Sequence, residues 1–174
     1  MLTQRLRARC PSATVLGTAT AQGYDLQFSK PSIDGSGKAT LTSAEHTNTP
    51  GVLFKIERRH LQALDRAEGA GKGYDRFDDF EVHLHSGDGA EAVVTYLATE
   101  TNAGLSPYDW YLGLVLAGAH QHALEDAYIG RLRAHLHEFD SNLDRPSRID
   151  ALKALAAHGY RDLSDLLETK HTGS

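Results

Sequence analysis

A helical pattern that runs straight into three alternating glycines is the feature that most limits what this chain can fold into. Ile56, His60, Leu61, Leu64 and Ala67 recur at three- and four-residue intervals, which describes one apolar helix face. Gly69, Gly71 and Gly73 follow, and glycine, which tolerates positive φ, is favoured just past a helix end. The last residue before the break is Glu68, in the run Leu64-Asp65-Arg66-Ala67-Glu68-Gly69, with Tyr74-Asp75-Arg76 close behind. A carboxylate placed there either stands in water or faces a cavity walled by other parts of the fold. On these residues alone both readings stand.

Around that break the chain reads as strands first and helices later. Residues 1–9 have Leu2 and Leu6 one turn apart, a helix whose arginines (Arg5, Arg7, Arg9) are expected to face outward. Pro11 ends it. Residues 13–28 alternate and are rich in strand formers, with Gly23 marking a bend or bulge. Residues 30–38 form a Pro-, Gly- and Ser-rich loop whose Gly-Ser-Gly-Lys lacks P-loop spacing. Further strands are expected at 38–42, 51–57, 79–85 and 92–98, the last two joined by a turn at 86–89. Helices follow at 108–122 and 124–137, with Tyr111 on the inner face of the first. Beyond Pro146 the pattern predicts two short helices, 149–157 and 160–168. Five strands early and helices mostly late imply an α+β domain with a small, curled mixed sheet or barrel and flanking helices.

Charge and cysteine usage exclude several classes. A net charge of −5 disfavours a nucleic-acid binder, which needs a basic face. A lone cysteine, Cys10, rules out an intramolecular disulfide and fits a reducing, cytoplasmic setting. It precedes Pro11 with no ordered partners, which makes a poor nucleophile. No run is long enough to span a bilayer as a helix. His83 and His85 would share a face of a strand, half of a zinc site, whereas His120/His122 and His135/His137 would diverge on helices. No familiar spacing completes any of these pairs, so no metal is expected.

Taken together in order, a set of short motifs resembles the γ-glutamylcyclotransferase and γ-glutamylamine cyclotransferase family. They are Met1-Leu2-Thr3-Gln4-Arg5-Leu6, Arg9-Cys10-Pro11-Ser12-Ala13, Gly23-Tyr24-Asp25-Leu26-Gln27-Phe28 and Gly51-Val52-Leu53-Phe54. Next come Leu64-Asp65-x-x-Glu68-Gly69 with Tyr74-x-Arg76, then Thr95-Tyr96-Leu97, Ser106-Pro107, Tyr111 and Gly118-Ala119. The resemblance covers about the first 130 residues, and the Leu-Asp-x-x-Glu-Gly…Tyr combination is its most specific part. It implies a γ-glutamylcyclotransferase-like domain over residues 1–140, a helical extension over 141–174, and cyclisation of a γ-glutamyl amino acid or amine to 5-oxoproline. Glu68 matches the family's catalytic acid/base, and Tyr111 and Tyr74 match substrate contacts, with Met1 and Leu2 beside the family's substrate loop. No cofactor is implied. The expected partner is a small γ-glutamyl substrate, with no nucleic acid and no membrane, and the chain is expected to be a monomer or homodimer.

One departure stands against these matches. The family's Tyr-Gly-Ser-Asn loop, which cradles the γ-glutamyl group, would lie immediately before Met1. The expectation is that about 10 to 20 further residues, a strand and turn, precede Met1 in the natural protein, and that without them turnover is impaired. A non-catalytic small-ligand or protein-interaction domain of the same fold is the alternative.

Overall fold

Alternating strand formers build two long strands that pair along almost their whole length. These are β1 (Thr14–Pro31) and β2 (Gly37–Lys55), antiparallel from Thr14 opposite Lys55 to Pro31 opposite Gly37. The computed structural model describes residues 1–87 and 89–168. Asp88 of the expected 86–89 turn, and residues 169–174 of the expected extension, lie outside them. The chain divides into two compact units, Thr3–Leu105 and Met1–Leu2 with the residues from Ser106 onward, each taken here by itself.

In the Thr3–Leu105 unit, α1 (Thr3–Arg9) precedes the β1–β2 hairpin, and a single 3-10 turn (Arg58–His60) leads into α2 (Leu61–Glu68). β3 (Tyr74–Leu84) and β4 (Ala90–Ala98) complete a sheet of order β2-β1-β3-β4. All pairings between these strands are antiparallel. Among the described residues, four strands stand where five were expected, because residues 37–55 run as one. The polar stretch 43–50 has no apolar alternation of its own, but Ser43 and residues 48–50 pair with β1 on either side of the register shift at Gly23. Gly23, in left-handed geometry at φ 73°, sits at the register shift between Gln22 and Tyr24, the bulge that its position predicted.

The sheet curls until its two ends meet. Ala98 N–H donates to Thr40 Oγ1 at 3.0 Å and the Tyr74 hydroxyl donates to the Ala39 carbonyl at 2.8 Å. Ala19, Ala21, Phe80 and Val82 are buried inside the curl, with Tyr24, Leu41, Leu84, Val93 and Leu97 packed on them. A second cluster of Leu6, Cys10 and Ala13 is covered by Phe54, Ile56 and Leu64, which seats α1 and α2 together.

In the other unit, α3 (Asp109–Gln121) is apolar nearly all round and buries most of its residues, as a central helix must. Around it lie α4 (Asp126–Arg133), α5 (Pro146–Ala157) and α6 (Ser164–Leu167). α4 is shorter than the expected 124–137 helix. After Arg133 the chain leaves the helix and lies along the entry to α3, where Asp109 N–H donates to the Glu138 carbonyl at 2.8 Å and Glu138 N–H to the Pro107 carbonyl at 3.0 Å. Asp140 then accepts from Trp110 Nε1 at 2.9 Å and Arg145 Nε at 2.6 Å, and its side chain is 1% exposed. Met1 runs against Gly118 so closely that a Cβ there would sit 2.8 Å from the Met1 nitrogen.

Candidate active site

Glu68 is the last residue of α2, and Gly69 closes the helix in left-handed geometry at φ 76° and ψ 38°. The Gly69 and Ala70 N–H groups both donate to the Asp65 carbonyl, ending the helix directly past the glutamate. Gly71 N–H donates to the Tyr74 carbonyl at 2.8 Å, so the glycine loop folds tightly back into β3. The break read from the glycines is where the structure places it.

The Glu68 side chain is sheltered, at 24% exposed, and its Oε1 accepts from Arg9 Nη1 at 2.9 Å. Arg9 therefore turns inward, against the expectation that the α1 arginines face water. Arg7 is also engaged, its Nε donating to the Ala13 carbonyl at 2.9 Å. Both contacts arise because α1 packs beside α2 and the start of β1, a tertiary placement that a seven-residue helix does not announce.

Three residues before Glu68, on a neighbouring helical position, Asp65 takes two donors. The Tyr96 hydroxyl donates to its Oδ1 at 2.7 Å and Arg76 Nη1 to its Oδ2 at 2.7 Å. Arg76 and Tyr96 are directly opposite each other on β3 and β4. Arg76 also reaches Asp78 at 2.9 Å. Burial, then the hydrogen bond to Asp65 and its charge, push the Tyr96 phenol well above its ordinary range; Arg76 opposes this and the Glu68 charge adds to it. Tyr96 thus stays a neutral O–H donor at working pH.

The other expected site residues are placed as follows. Tyr74 has its hydroxyl on Ala39, as above, and the Lys30 ammonium lies 5.1 Å from its ring centroid. Leu2 is a core side chain, 1% exposed, whereas Met1 is exposed. Tyr111 is half-buried on α3, its ring edge-on to Trp110 with centroids 6.0 Å apart. An open groove of ≈ 460 Å³ is lined by Gln22, Tyr24, Phe77, Asp79, Phe80, Glu81 and His83. Glu68 is not among its walls.

The histidine pairs are partnered otherwise. His85 touches the Thr18 and Thr20 hydroxyls at 2.9 and 2.6 Å, and His83 lies 3.6 Å from Glu81. Among the described residues, no three of His, Cys, Asp or Glu are grouped to hold a metal ion. No helix among them is long and apolar enough to cross a membrane.

Residues 49–132 match the AIG2-like family. The γ-glutamylcyclotransferase of cattle is 26% identical over 139 residues, covering 77% of this chain and 73% of the relative. The human γ-glutamylcyclotransferase is 28% identical over 140 residues, with the same coverage. Over about three quarters of its length the chain is therefore similar to γ-glutamylcyclotransferases. In fold, it superposes on a solved γ-glutamyl cyclotransferase with a TM-score of 0.78 at 24% identity, covering 88% of this chain and 92% of that one. The segment matched to the AIG2-like family contains Asp65, Glu68, Tyr74, Arg76, Tyr96 and Tyr111, while Arg9 precedes it.

Sequence reasoning singled out Glu68 but gave no role to Arg9, Asp65, Arg76 or Tyr96. All four stood inside the motifs of the resemblance, and the i, i+3 spacing of Asp65 and Glu68 was the signal that could have linked that pair. No spacing linked Arg9 to Glu68.

Proposed function

We propose that the chain is a γ-glutamylcyclotransferase-type enzyme, cyclising a γ-glutamyl amino acid or amine to 5-oxoproline with Glu68 as general acid/base. The observation that carries this reading is the sheltered Glu68 carboxylate, fixed at a glycine-capped helix end in a chain similar to γ-glutamylcyclotransferases.

The reaction is an internal aminolysis. The α-ammonium of the substrate gives a proton to Glu68, and the freed amine attacks the γ-carbonyl carbon. A C–N bond forms, the carbonyl oxygen takes up negative charge, and collapse breaks the original amide bond. Protonated Glu68 returns its proton to the departing nitrogen, and the second proton lost by the attacking nitrogen ends on the released amine, which leaves as an ammonium. No water is consumed. Because attack is intramolecular, most of the rate comes from folding the γ-glutamyl chain into a near-attack shape. The oxyanion requires N–H donors, each worth about 3 kcal/mol where one has been removed from other enzymes.

Glu68 begins the cycle on Arg9, so a substrate ammonium competes with a guanidinium for the same oxygen. That competition favours substrates whose amine is charged on arrival. Tyr74, Tyr111, Met1 and Leu2 complete the proposed substrate contacts, with Leu2 contributing main chain because its side chain is core.

Incubating the chain, alone and with a Tyr-Gly-Ser-Asn strand and loop added ahead of Met1, with γ-glutamyl-alanine tests the reading. Release of 5-oxoproline and alanine in equal amounts by at least one form is expected. Saturable binding of the compound without release by either form would make the chain a ligand-binding member instead.

A further inference from the structure

α2 has only eight residues and no side-chain cap at its start, a length that is marginal in isolation. Its last turn is nevertheless tied down twice through one residue. The Asp65 carbonyl takes the Gly69 and Ala70 N–H groups that end the helix, and the Asp65 carboxylate takes Arg76 and Tyr96 from two adjacent strands. Both carboxylate oxygens are used, by a cation on one and a phenol on the other, so the side chain is held against translation and rotation. Arg76 and Tyr96 are themselves register partners in the sheet, so the anchor is the β3–β4 ladder rather than a loop.

Resting on the function proposed above, we infer that Asp65 is the positioning residue for Glu68. Stapled by Arg76 and Tyr96, it fixes the last turn of α2 so that the Glu68 carboxylate stays where it can exchange a proton with the substrate. Asp65 does not touch the reacting atoms; it acts through the backbone it holds. A misplacement of about 1 Å at a catalytic group can cost on the order of 100-fold in rate. The signature of such a role is a loss in kcat with little change in KM.

The experiment compares the active form of the protein with its Asp65→Asn, Tyr96→Phe, Asp65→Asn/Tyr96→Phe and Glu68→Gln variants, each shown to be folded by circular dichroism. Asp65→Asn is expected to lower kcat about 10- to 100-fold and to change KM less than about threefold. Tyr96→Phe, which removes only one hydroxyl, is expected to lower kcat less, and the double variant to be no slower than Asp65→Asn alone. An Asp65→Asn protein that is less stable but turns over at the wild-type kcat overturns the inference. If Glu68→Gln retains full activity, the functional reading falls instead. Independently of activity, a crystal structure of Asp65→Asn should show Glu68 displaced from Arg9; Glu68 still 2.9 Å from Arg9 overturns the inference.

Discussion

Arg9 Nη1 donates to Glu68 Oε1 at 2.9 Å, joining α1 to the end of α2 across 59 residues of sequence. The two side chains are 32% and 24% exposed, so water screens the pair and its net worth to folding is small. Arg9→Met, which keeps the aliphatic stem, is expected to change unfolding free energy by about 1 kcal/mol or less, measured by urea denaturation. The pair matters for where Glu68 points, not for holding the fold.

The Asp140 pair has the opposite balance. Its carboxylate is buried and takes Trp110 Nε1, both Arg145 nitrogens and the Asn142 N–H. Asp140→Ala leaves the indole N–H and the guanidinium without their acceptor and frees the 134–145 segment from α3. A loss of about 3 kcal/mol is expected, read from the same urea titration.

Acid should act through the same group. Burial alone would raise the Asp140 carboxyl, but Arg145, Trp110 and the Asn142 N–H outweigh it and hold the carboxyl below its usual range. Asp34 behaves alike: burial is outweighed by Lys38 and Ser36, which bring it to about 2. A carboxyl depressed in the folded state adds stability above its unfolded value of about 3.9, and that stability is lost as pH falls through the folded value. The urea midpoint is therefore expected to fall between about pH 4 and pH 2, and to fall less steeply in Asp140→Asn.

Gly37 offers a steric test of the long hairpin. A Cβ there would lie 1.9 Å from the Phe28 carbonyl oxygen, a backbone atom that cannot step aside, whereas one at Gly51 would meet nothing within 4 Å. Gly37→Ala is expected to cost about 3 kcal/mol and Gly51→Ala less than about 1 kcal/mol, compared by thermal unfolding.

Cys10 should be slow to react. Its thiol is fully buried and contacts the His60 carbonyl at 3.7 Å. Burial pushes its pKa up; Arg9 opposes this and Glu68 adds to it, so thiolate is scarce. Labelling with an aromatic disulfide at pH 8 is expected to be at least tenfold faster in denaturant than in the native protein.

These features were unevenly legible in the sequence. The helix end at Glu68 and the bulge at Gly23 could be read because glycine acts locally, through φ. The continuity of β2 could not, because its polar middle carries no apolar alternation and joins two stretches whose pairing with β1 shows only once the hairpin is placed. The end of α4 was overrun because Asp140 is pulled from any helix by Trp110 and Arg145, partners distant in sequence or visible only once the loop is placed. At the site, the helix-end carboxylate was legible from its motif. Arg9 was not, since arginines at 5, 7 and 9 give no period that tells which one turns inward.

The central claim is that Glu68 moves the proton that lets a γ-glutamyl group close on itself. Release of 5-oxoproline from γ-glutamyl-alanine by the active form and by its Glu68→Gln variant, both folded and at equal concentration, measures it directly. The account predicts turnover by the first and a loss of at least about 100-fold in the second. Equal release by both would contradict it.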